Sequence, residues 1–79
     1  MANRMRWEEG ECHDQISSVE IMPYLVSIMH FQKTDTYFIE ILNYHSNKSI
    51  YPIKKHFVSP RSAKIAFTKW WNAVGRKML

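Results

Sequence analysis

Residues 37–58 read YFIEILNYHSNKSIYPIKKHFV, two stretches rich in β-branched and aromatic residues on either side of the polar residues Ser46, Asn47, Lys48 and Ser49. Such a pair reads as an antiparallel hairpin. If Asn47 and Lys48 are the central residues of a tight turn, Tyr44 faces Tyr51, Leu42 faces Ile53, Glu40 faces Lys55 and Phe38 faces Phe57. In that register Pro52 lies opposite Asn43, and because proline has no N–H to donate, the last strand must be an edge.

Working outward, residues 24–31 form a further apolar run, separated from the hairpin by the polar residues 32–36. The expectation is a three-stranded antiparallel sheet over 24–31, 37–45 and 50–58, in the order 1-2-3. Downstream, Ser59 and Pro60 supply a helix N-cap and the proline tolerated at the first helical position. Ala63, Ala66, Phe67, Trp70, Val74 and Met78 then recur at helical spacing as one apolar stripe. The fold class is therefore α+β, a βββα domain over 23–79. Residues 1–22 are expected to form an acidic arm or short helix, and Gly75 to weaken or end the last helical turn.

At 79 residues, 46% hydrophobic and 23% charged, the chain suits one small domain. A core of this size yields only about 3–5 kcal/mol unless something adds to it. The single cysteine, Cys12, has no intrachain partner, which points to an intracellular location, cytoplasmic or nuclear/nucleoid. No apolar run approaches the ~20 residues of a bilayer span, since 21–31 is interrupted by Pro23, Ser27 and His30. The first eleven residues lack the apolar stretch of a signal peptide. No membrane association is expected.

The net charge of +4 conceals a segregation: residues 1–40 hold seven acids against three cations, and residues 41–79 hold eight cations and no acid. Such a half attracts polyanions, of which nucleic acid is the commonest. Lys54, Lys55, Arg61, Lys64, Lys69 and Arg76 are the candidate phosphate contacts. The competing reading is a solvated basic face that only keeps a small domain soluble. On the helix the cations share their face with Thr68, Asn72 and one exposed apolar residue, Ile65, with Trp71 at the border.

The β-β-β-α order and the helix text, Ser59-Pro60-Arg61-Ser62-Ala63-Lys64-Ile65-Ala66-Phe67, resemble the second half of a double-stranded RNA-binding domain. In that family the last helix opens with a serine and the pattern S-K-K-x-A-K-x-x-A-A. Pro23-Tyr24-Leu25-Val26 and Phe38-Ile39-Glu40-Ile41 are similar to its first two strands, so the resemblance covers residues 23–74. Pro60 stands where the family carries a basic residue, and residues 32–36 lack its Gly-Pro and histidine. The resemblance implies phosphate contacts from the helix N-terminus, with duplex RNA as favoured ligand, DNA as the second choice, and no base-specific reading.

No catalytic pair or Gly-rich phosphate loop is present, so no enzymatic activity and no cofactor are expected. Glu11, Cys12, His13 and Asp14 are consecutive and cannot all turn to one ion. His30, His45 and His56 are expected on the face that carries Ile39, Ile41 and Lys54, as half-buried sheet residues rather than metal ligands.

Both faces of the expected sheet are apolar. One carries Phe31, Phe38, Leu42, Ile53 and Phe57, the other Val26, Ile28, Ile39, Ile41, Ile50 and Val58. One helix covers one face, which leaves Ile28, Ile39, Ile41 and Trp71 as candidate interface residues for a homodimer or protein partner. The alternative function is accordingly a protein-interaction or dimerisation module, a small regulator or inhibitor that binds an acidic partner.

Overall fold

The computed structural model describes residues 5–10 and 14–78. Five antiparallel strands follow one another as a meander: β1 (Glu8–Glu9), β2 (Gln15–Ile21), β3 (Tyr24–Phe31), β4 (Thr36–Asn43) and β5 (Lys48–Ile50), in the spatial order β1-β2-β3-β4-β5. Helix α1 (Pro60–Trp70) runs through a π-helical turn, Trp71–Gly75, into a short α2 (Arg76–Met78).

The expected three-stranded sheet is thus a five-stranded one, because residues 15–21, assigned to an arm, form an interior strand. Its core-facing positions include Ser17 beside Val19, and the register shifts between Gln15 and Ser17. A buried serine and a bulge hide the alternation that marks a strand. The boundary expected at 22/23 falls inside the β2–β3 hairpin, whose two-residue turn is Met22-Pro23 with a cis peptide. Strands occupy residues 8–9 and 15–21, where the double-stranded RNA-binding domain would carry a helix.

The β4–β5 hairpin closes earlier than the tight turn expected from sequence, and the β3–β4 connection spans residues 32–35. β3 and β4 pair from Tyr24↔Asn43 to Phe31↔Thr36, and Asp35 takes a left-handed φ of 52° at the end of the connection. Asn43 sets the next turn: its Oδ1 accepts from the N–H groups of His45 (2.9 Å) and Ser46 (3.3 Å). Its carbonyl accepts from Asn47, itself left-handed at φ 55°. Asparagine is suited to both roles. The resulting pairs are Ile41↔Ile50 and Leu42↔Ser49, in place of the pairs centred on Asn47-Lys48.

The third expected strand is also cut short. β5 ends at Ile50, Pro52 follows without a donor, and the chain returns to the sheet only at Phe57. Phe57 exchanges both backbone hydrogen bonds with Tyr37 (2.7 and 2.8 Å), so the expected Phe38–Phe57 pair does not form. The slip between residues 51 and 57 turns Phe57 to the helix side, where it is buried.

The core lies between the sheet and α1. Val19, Val26, Ile28, Ile39, Ile41 and Phe57 meet Ala63 and Phe67, with Phe67 wholly buried. Trp7 meets the Phe67 ring edge-on at 5.8 Å, and Trp70 and Trp71 flank it at 6.0 and 6.1 Å. Ser59 caps α1, its Oγ accepting from the Ser62 N–H at 3.2 Å, with Pro60 in the first turn as expected.

Ile28, Ile39 and Ile41, expected on an uncovered face, are instead fully buried beneath the helix, because Phe57 carries the chain onto that side before α1 begins. The face left without a helix carries Leu25, Met29, Phe31, Phe38 and Leu42. Beyond Trp70 the expected stripe fails too. The wider π turn brings Trp71 against Phe67 and leaves Val74 and Met78 exposed. The helix does not end at Gly75, which is buried against the Trp70 ring.

Candidate nucleic-acid interface

Where β5 leaves the sheet at Pro52, residues 51–56 arch away from β4 and open a pocket of about 500 Å³. Phe31, Phe38, Tyr51, Ile53 and His56 line it, with Lys54 and Lys55 on the same arch. His56 stacks on Phe38 (centroids 5.6 Å apart, planes 27° apart) and meets Phe31 edge-on at 5.7 Å. Tyr51 lies 6.2 Å from Phe38.

Two hydrogen-bond systems hold these rings. The Thr36 hydroxyl bonds to His56 Nδ1 at 2.8 Å and to the Thr34 hydroxyl at 2.6 Å, which fixes the imidazole over Phe38. The Tyr51 hydroxyl donates to Glu40 Oε2 at 2.9 Å. That bond to Glu40, followed by burial and the carboxylate's charge, holds the Tyr51 pKa above its usual 10.0. His56, expected on the Ile39/Ile41 face, is carried by the arch to the opposite one, against Phe31 and Phe38, while His45 sits exposed in the β4–β5 turn. His30 pairs with Asp35 at 2.8 Å.

The structure divides the expected phosphate contacts into groups. Lys54 and Lys55 border the aromatic pocket, and the Lys55 Nζ lies 5.5 Å over the Phe57 ring. Arg61 and Lys69 line a shallow depression on the outer face of α1, together with Ser59, Ser62, Ile65 and Ala66. Lys64 is turned toward the sheet edge, its Nζ 5.9 Å over Trp7, and Arg76 is exposed in α2 beside Lys77. Of the expected interface residues only Trp71 retains surface, half-buried on Phe67.

Among the described residues the one ion pair is His30–Asp35, so the described cations of residues 41–79 have no described carboxylate within ion-pairing distance. Three acids gather at the far edge of the sheet, while Glu40 stays beside the pocket, bonded to Tyr51. Glu8, Glu9 and Glu20 surround a small hollow with Gln15, Ser18, Leu25 and Tyr44. The face without a helix therefore runs from an acidic edge at β1–β2 to an aromatic and basic edge at β5. A polyanion on it is drawn to the β5 side.

Sequence reasoning misses the aromatic members of this site. Phe31, Phe38 and Tyr51 share a face as strand alternation expects, Tyr51 being brought opposite Glu40 by the β4–β5 register, but His56 reaches them only because the strand breaks after Pro52. The one signal in the sequence is a proline followed by two lysines and a histidine in a stretch otherwise suited to a strand. Among the described residues no group of three or more histidine, cysteine or acidic side chains could hold a metal ion; Glu11, Cys12 and His13 lie outside them. No helix among them is long and apolar enough to cross a membrane. No protein-family model, curated protein or solved structure matches the chain.

Proposed function

We propose that this protein is a non-enzymatic nucleic-acid-binding module of the cell interior that holds its ligand by the phosphate backbone. The observation that supports this is the set of unneutralised cations on α1 and on the arch beside the aromatic pocket. Arg61, Lys69 and Arg76 present charge on or beyond the outer helix face, and Lys54 and Lys55 present it at the β5 edge. Charges of this kind attract phosphates in any sequence context and release counterions on contact. Lys64 and Lys55 contribute less, since their ammonium groups lie over Trp7 and Phe57.

The test is binding of labelled single-stranded and duplex oligonucleotides across a salt series. Affinity is expected to fall steeply with salt, and the paired change Arg61→Ala and Lys69→Ala to reduce the slope by about one unit for each phosphate no longer neutralised. Unchanged affinity and slope remove the helix from the binding surface. A second reading, an acidic protein partner, is supported by the same unpaired cations. Polyglutamate bound as tightly as nucleic acid at equal charge would favour it.

A further inference from the structure

We infer that the pocket between β4 and the arch 51–56 receives one unstacked base of a single-stranded nucleic acid, an inference that rests on the nucleic-acid reading above and names its ligand class. The pocket's volume, about 500 Å³, lies within the roughly 300–1,000 Å³ range of small-ligand sites and has room for a nucleoside. Its walls are ring faces and edges from Phe31, Phe38, Tyr51 and His56. Aromatic side chains among cations hold single strands by stacking, and because every base has a π-face this tolerates any sequence.

The rings are held in place before a ligand arrives. The Thr34–Thr36–His56 hydrogen bonds fix the imidazole, and the Tyr51–Glu40 bond fixes the phenol. Thr36 engages His56 at Nδ1, so Nε2 is the ring nitrogen that supplies a polar contact for a base edge or sugar. Lys54 on the arch lines the pocket and is the cation available to a phosphate beside the bound nucleotide, whereas the Lys55 ammonium lies over the Phe57 ring. Glu8, Glu9 and Glu20 at the opposite edge repel the strand from β1 and β2, so it follows the β5 edge. A base within a duplex must first be unstacked and unpaired, at a cost of a few kcal/mol, so a single strand is favoured.

The experiment compares oligothymidylate, an abasic strand of equal length and a duplex at one salt concentration. Wild-type protein is expected to bind oligothymidylate about tenfold or more tighter than the abasic strand. Phe38→Leu, which keeps apolar volume and removes the ring, and His56→Ala, at an exposed position, should each bring oligothymidylate toward the abasic level. Circular dichroism confirms that each variant is folded. Equal binding of oligothymidylate and the abasic strand by wild-type protein, or preference for the duplex, overturns the base pocket and leaves phosphate binding standing. Failure to bind any of the three overturns both.

Discussion

His56 lies stacked on Phe38, with ring centroids 5.6 Å apart, on the sheet face that strand alternation through residues 50–58 would deny it. The break after Pro52 causes this. Residues 51–56 leave the ladder, Phe57 rejoins it opposite Tyr37 and turns inward, and His56 is left pointing to the other side. One interruption thus supplies a core residue, an aromatic pocket and the two lysines at its rim.

Ile41→Asp is expected to unfold the protein. Ile41 is fully buried among Val26, Ile39 and Phe67 in the sheet–helix core, and an unpaired carboxylate there costs several kcal/mol, comparable with the roughly 3–5 kcal/mol a core of this size supplies. Leu25→Asp, on the face without a helix, should remain folded. Circular dichroism and sedimentation distinguish the cases, and a folded Ile41→Asp protein would contradict the placement of Ile41 in the core.

Gly75→Ala tests the π turn. Alanine is worth up to about 1 kcal/mol over glycine in an ordinary helix. Here a Cβ would stand 2.4 Å from Trp70 Cζ3 and under 3.0 Å from two further atoms of the same ring. The ring must move from its place beside Phe67, so a net loss of about 1–3 kcal/mol is expected in denaturant unfolding. A gain in stability would show that Trp70 does not pack on Gly75.

Tyr51 gives the stability a dependence on alkaline pH. Its folded pKa lies above 10.0, chiefly because the neutral hydroxyl donates to Glu40. The folded state therefore keeps the proton to higher pH than the unfolded chain does. The contribution is complete below pH 10.0 and is lost as pH rises through the folded value. Tyr51→Phe should flatten the alkaline decline. Tyr44, also raised by desolvation and by Glu20, titrates in both proteins and forms the common background. Identical declines would contradict the Tyr51–Glu40 bond.

The elements read correctly from sequence are those whose signals are local. Ser59 and Pro60 mark the start of α1, Ala63 and Phe67 its buried side, and Ile65 its exposed one. β3 and β4 announce themselves by dense β-branched and aromatic residues. β2 does not, because Ser17 occupies a core position and a bulge interrupts its alternation. Which face the helix covers depends on Phe57, whose orientation is decided by a slip in register that no local pattern encodes. Hence strand alternation alone offers Ile28, Ile39 and Ile41 as an interface, whereas the open face belongs to Phe31, Phe38 and their neighbours. The cations are legible by count, but their division between α1 and the arch is not.

The most direct test of the central claim, that nucleic acid is held at the aromatic and basic edge, is titration of the isotope-labelled protein with oligothymidylate, followed by nuclear magnetic resonance of backbone amides and aromatic rings. The largest shifts are expected at Phe31, Phe38, Tyr51 and His56, with Lys54 and Lys55 beside them and smaller ones at Arg61 and Lys69 on α1, while Glu8, Glu9 and Glu20 stay still. An unperturbed spectrum, or shifts that gather at the β1–β2 edge and spare the pocket, would contradict it.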